Sequence, residues 1–83
     1  MSKIMVEIYL PASGETYDVK IPASSRIGQI IPLLEKCMLD LADGYFVPGD
    51  STVLCERTTG TVLSRNLTVS EMGIVNGTRL MMI

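Results

Sequence analysis

Hydrophobic residues in this chain change their spacing from alternate positions to helical positions and back again. That double switch limits the possible folds more than any other feature. Between Ile27 and Leu41 the apolar residues fall at helical intervals. Ile27, Ile30, Ile31, Leu34, Met38 and Leu41 form one stripe, and Leu33 and Cys37 widen it. Glu35, Lys36 and Asp40 lie off it. Before and after this stretch the apolar residues alternate with polar ones. A single amphipathic helix can cover one face of one sheet, so the pattern predicts α+β architecture: one main helix laid across a mixed sheet of four to five strands.

The strand order follows from the alternation. Ile4, Val6, Ile8 and Leu10 share one face of a first strand over residues 3–10, opposite Met5, Glu7 and Tyr9. Pro11-Ala12-Ser13-Gly14 is turn chemistry, with Gly14 free to take a positive φ. Tyr17, Val19 and Ile21 point inward from a second strand over 15–21, which closes a hairpin. Pro22-Ala23-Ser24-Ser25 then ends the strand and offers a helix N-cap. Beyond the helix, Asp43-Gly44 is a stop signal and residues 45–50 read as a loop. A third strand is expected over 51–56, a short fourth over 61–64 and a single helical turn around Ser70-Glu71-Met72-Gly73. Asn76-Gly77 is a tight turn into a last strand over 78–83. The first and last strands are the most apolar, so they are placed side by side at the centre, parallel to each other.

Pro32 interrupts the helical pattern. It has no N–H to give the Gly28 carbonyl, at a cost of about 3 kcal/mol in a regular helix. A bend or widened turn hidden against the core is expected there, offset by burial of the Ile/Leu stripe at about 1.5–3 kcal/mol per large side chain.

Composition narrows the functional classes. A chain of 83 residues has room for one domain, spanning 1–83, and one core. Its net charge of −2 argues against binding nucleic-acid backbone. It has no histidine, so the commonest general base and the commonest metal ligand are both missing. No apolar run reaches the roughly 20 residues that span a membrane, and no secretory signal opens the chain. Cys37 and Cys55 are expected to be reduced, buried thiols. No CxxC, phosphate loop or HExxH occurs, and no base stands beside Cys55. Catalytic, cofactor and metal sites are therefore not expected.

The element order is that of the β-grasp, and the chain resembles ubiquitin-like proteins over nearly its whole length. Ile27-Gly28-Gln29-Ile30-Ile31-Pro32-Leu33-Leu34 is similar to the helix of the YukD-like family. The second half agrees: Val53-Leu54-Cys55-Glu56-Arg57, then Gly60-Thr61-Val62-Leu63, then Leu67-Thr68-Val69-Ser70-Glu71-Met72-Gly73-Ile74 and Asn76-Gly77-Thr78-Arg79-Leu80. That family includes small cytoplasmic ubiquitin-like proteins of type VII (WXG100) secretion in Gram-positive bacteria. It also includes the cytoplasmic ubiquitin-like domain of the mycobacterial channel subunit EccD. The resemblance implies a non-catalytic, cytoplasmic accessory role in protein export, through contact with components of the secretion machine.

The residues suggest where such contact would fall. With Leu80 and Met82 turned toward the helix, Arg79, Met81 and Ile83 face outward, and Met5, Tyr9 and Leu54 are expected to share that face. Adaptable Met and apolar Ile on an open sheet make a candidate protein-binding patch. Self-association through this face or a sheet edge is a further expectation. The alternative is a carrier or modifier of the ubiquitin, ThiS or MoaD kind, or a ubiquitin-like domain excised from a larger protein. The carrier chemistry needs a mobile glycine end, whereas Leu80-Met81-Met82-Ile83 reads as a strand held in the sheet.

Overall fold

The computed structural model describes residues 3–41 and 52–83. Its elements are β1 (Lys3–Leu10), β2 (Glu15–Pro22), α1 (Ile27–Leu41), β3 (Leu54–Glu56) and β4 (Arg79–Met82). The four strands form one sheet in the order β2-β1-β4-β3. β1 and β4 run parallel at the centre, while β2 and β3 pair antiparallel on either side. This is the mixed sheet that the spacing predicts. The parallel pair is possible because the chain crosses over through α1 between them.

Alternation sorts the side chains. Val6, Ile8, Leu10, Ile21, Leu54, Leu80 and Met82 point inward and are buried. They share one cluster with the helical stripe Ile27, Ile30, Ile31, Leu34 and Met38. Ile4, Tyr17, Val19 and Met72 pack against its margin. Three residues assigned to the stripe lie outside it: Leu33 is 61% exposed, Leu41 51%, and Cys37 is exposed too. The buried stripe is therefore narrower than the sequence suggests. Cys55 is buried as expected, and both cysteines are free thiols.

The helix start differs from the serine cap expected at Ser24-Ser25. The Arg26 carbonyl accepts from the Gln29 and Ile30 N–H groups at 2.9 and 3.2 Å, so Arg26 holds the cap position. Gln29 Oε1 reaches back to accept from the Arg26 N–H at 3.1 Å, one half of a capping box. The two remaining donors find distant carbonyls: Ile27 N–H bonds Leu67 O at 2.9 Å and Gly28 N–H bonds Arg65 O at 3.0 Å. Glycine at 28 permits this approach, since a Cβ there would lie 3.1 Å from the Arg65 carbonyl oxygen.

Pro32 lies within a helix that is continuous from Ile27 to Leu41, with no wider turn, and its ring is exposed rather than set against the core. The buried stripe runs past it intact. The burial of Ile30, Ile31 and Leu34 outweighs one missing hydrogen bond near the helix start.

The second half is less regular than expected. β3 covers only Leu54–Glu56, although Val53 and Ile83 extend its pairing with reciprocal N–H···O bonds of 2.8 and 3.1 Å. The short fourth strand over 61–64 is instead a single bridge between Val62 and Cys55. Bonds from Glu56 N–H to Thr61 O and from Leu63 N–H to Leu54 O flank it. Around Ser70 the chain makes successive turns rather than a helical turn, with one helix-type bond from Met72 N–H to Thr68 O. Thr68 and Glu71 cap each other there. Thr68 N–H donates to Glu71 Oε1 at 2.9 Å and Glu71 N–H donates to Thr68 Oγ1 at 3.0 Å. The Thr68 backbone bond, then the Thr68 side chain, and the positive charge of Arg26 hold the Glu71 carboxyl below its ordinary range. The expected helix end at Asp43-Gly44, the loop over 45–50 and the start of the third strand at Ser51 lie outside the described residues.

Candidate protein-binding face

The sheet face away from α1 carries Met5, Glu7 and Tyr9 from β1, and Arg79 and Met81 from β4 with Ile83 just beyond it. β2 adds Thr16, Asp18 and Lys20. Register sets their neighbours. Tyr9 stands between Thr16 and Met81, Glu7 between Asp18 and Arg79, and Met5 opposite Lys20. Arg79 Nε binds Glu7 Oε2 at 3.1 Å. Both groups are well exposed, so this ion pair contributes little to stability.

Met5 is 39% exposed and Ile83 54%, and the register puts them toward opposite ends of the face. Tyr9 and Met81 lie half-buried between those ends. The turn before β4 fixes the position of Met5. Its N–H donates to Asn76 Oδ1 at 2.8 Å and its carbonyl accepts from Gly77 N–H at 2.8 Å. Gly77 takes a φ of 86° in this turn, which the Val75 carbonyl closes by accepting from Thr78 N–H.

Five of the six residues expected on this face are there. Leu54 is the exception. It pairs with Met82, points inward and is 1% exposed. A strand's side is set by its register, and the pairing of Leu54 with Met82 puts both into the core. Cys55 carries the outward parity instead, opposite Met81, and is 3% exposed.

Arg57 is a part of the face that the sequence reading missed. Its N–H donates to the Arg79 carbonyl at 3.0 Å, which holds it against the end of β3. Its guanidinium carbon lies 4.2 Å from the centroid of the Tyr9 ring, and Nη1 donates to Thr16 Oγ1 at 3.5 Å. The side chain thus spans the face as far as β2. Position 57 shares its parity with position 55, and this was the signal available. The face can offer apolar contact at Met5, Met81 and Ile83, an aromatic ring under a cation, and a surface ion pair. No helix among the described residues is long and apolar enough to cross a membrane.

Comparison with known proteins places this geometry. The family model described as WXG100 protein secretion system (Wss), protein YukD, matches residues 4–82. The solved EccD5 ubiquitin-like domain from Mycobacterium xenopi superposes with a TM-score of 0.82 at 24% identity, covering 100% of this chain and 94% of its own. The ubiquitin-like domain of the Mycobacterium tuberculosis type VII secretion system protein ECCD1 gives a TM-score of 0.80 at 14% identity, with 100% and 99% covered. A chain of the MycP5-free ESX-5 inner membrane complex, State II, matches at 0.81 and 17% identity over 100% of this chain and 21% of that one. Comparison with curated protein sequences gives no match. The structural likenesses establish the fold as a ubiquitin-like β-grasp. With the family model matched from residue 4 to residue 82, the chain belongs to the YukD family of the WXG100 protein secretion system.

Proposed function

We propose that this chain is a non-catalytic, single-domain accessory protein of type VII secretion in Gram-positive bacteria. It acts in the cytoplasm by docking its outer sheet face on a protein component of the secretion machine. The family match over residues 4–82 supports the pathway. The observation that carries the mode of action is the outer face. Met5, Tyr9, Met81 and Ile83 stand there with Arg57 laid over the Tyr9 ring, and none of them belongs to the buried cluster. Their packing is not needed to hold the core, so they are available to a partner.

The test uses a tagged chain in a host that carries the secretion locus. Wild type is expected to capture secretion components, and deletion is expected to impair export. Met81→Glu should lose both capture and export while keeping the folded state. Leu33→Glu, on the exposed side of α1, should keep both. Equal behaviour of wild type and Met81→Glu would refute docking through this face. No capture by wild type together with unchanged export after deletion would refute the accessory role itself.

A further inference from the structure

We propose that the chain pairs with a second copy of itself through the free edge of β2, forming a two-fold symmetric dimer centred on Val19. The two sheet edges differ. Beyond β3, the carbonyl of Thr61 and the N–H of Leu63 already bond the strand. Beyond β2 nothing among the described residues is paired, and β2 is as long as β1.

The backbone directions on β2 follow from its neighbours. Glu7 N–H bonds Thr78 O, and Gly77 N–H bonds Met5 O, so Met5 and Glu7 turn their backbone groups toward β4. The intervening Val6 and Ile8 turn theirs toward β2, where they meet Val19 and Tyr17. The N–H and C=O groups of Thr16, Asp18 and Lys20 therefore point away from the sheet. They form an open ladder on an exposed strand.

The side chains select the register. In a two-fold antiparallel pairing centred on Val19, Asp18 of each copy lies opposite Lys20 of the other, and both residues use their outward backbone groups. On the inner side Val19 meets Val19, and Tyr17 meets Ile21. Centring on Asp18 would set carboxylate against carboxylate, and centring on Lys20 would set ammonium against ammonium. Centring on Tyr17 would leave both charges without an opposite. Only the Val19 register therefore gives both Asp18 and Lys20 a partner of opposite sign.

Within one copy, among the described residues, no opposite charge stands across from either. Asp18 faces the carboxylate of Glu7, which is bound by Arg79, and Lys20 faces Met5. Pro22 ends the ladder, since it has no N–H and its carbonyl already accepts from Ser25 N–H at 3.3 Å. A charged edge commonly guards against pairing. Here the alternation of signs is self-complementary, so it guards against other strands while admitting its own copy. The two sheets would then join edge to edge, and the two outer faces would lie on one surface. Each partner could be gripped twice.

The test is sedimentation equilibrium of the full chain over a concentration series. Wild type is expected to dimerise reversibly. Asp18→Lys and Lys20→Asp, each alone, should weaken the dimer by at least about tenfold, because both symmetry-related pairs become repulsive. Mixing the two variants should restore pairing, because every contact in the mixed dimer is again between opposite signs. The double exchange Asp18→Lys/Lys20→Asp should also restore it. Wild type that stays monomeric, single reversals that dimerise like wild type, or a mixture that fails to pair would each overturn the proposal. A dimer abolished by Met81→Glu but untouched by Asp18→Lys would also overturn it and would assign self-association to the outer face. A monomeric wild type that still captures secretion components would refute the edge alone and leave the docking role standing.

Discussion

Leu54→Ala tests which side of β3 belongs to the core. Leu54 is 1% exposed, lies across from Met82 at 1%, and sits in the main buried cluster. Truncating a buried leucine costs about 2–5 kcal/mol, depending on how far the site collapses. β3 is a three-residue edge strand, so its surroundings can partly close on the space. We therefore expect a loss of about 3 kcal/mol, toward the lower part of that range. The total stability of a chain this size is only about 4–12 kcal/mol. With a urea slope near 1 kcal/mol/M, the unfolding midpoint should drop by about 3 M at unchanged slope. With an unfolding entropy of about 2 cal/mol/K per residue, the melting temperature should fall by roughly 17 °C. Met81→Ala on the outer face should cost less than about 1 kcal/mol. If Leu54→Ala kept the wild-type midpoint and instead lost a binding partner, the inward assignment of Leu54 would be refuted.

Three further outcomes are expected. Pro32→Ala restores the donor to the Gly28 carbonyl at an exposed position and should raise stability by about 2 kcal/mol, after the entropy that proline removes from the unfolded chain is set against it; a loss of stability would mean that the helix depends on the proline ring. Asn76→Ala should speed hydrogen exchange at the Met5 amide and cost about 0.5–1.5 kcal/mol, whereas Asn76→Asp, which keeps an acceptor, should preserve protection; equal exchange in both variants would count against the Asn76 contact. Glu71 has a folded pKa below its unfolded one, so its contribution is complete above the unfolded value and is lost as pH falls through the folded value. Glu71→Ala should therefore be less stable than wild type at neutral pH and approach it in acid, and a gap that persists in strong acid would contradict that linkage.

The sequence showed most of the architecture because the signals there were local. Alternation in β1 and β2 and helical spacing at Ile27, Ile30, Ile31, Leu34 and Met38 each report one face of one element, and each was read correctly. It also placed Met5, Tyr9, Arg79, Met81 and Ile83 outside the core. What it missed depends on distant partners. Leu54 was misassigned because three residues of strand carry too little pattern to fix parity, and the decision belongs to Met82. The helix begins at Ile27 as the spacing predicts, but its cap was misassigned because the Ile27 and Gly28 donors are met by Leu67 and Arg65, about forty positions away, which no local capping signal records. Arg57 was overlooked because its role lies in its reach to Tyr9 and Thr16.

The central β1–β4 pair has a consequence for how the molecule assembles. The bond between Met5 and Asn76 joins residues 71 positions apart. Strands that neighbour each other at the middle of the sheet are thus made at opposite ends of the described sequence. The β1–β2 hairpin can form early, but it gains its second neighbour only after residues 79–82 arrive. Closing so long a loop before any reward is slow. During synthesis the nascent chain would wait, half-zipped and with its apolar surface uncovered, until residues 79–82 had emerged. Acquisition of structure should therefore be abrupt, with no independently stable half.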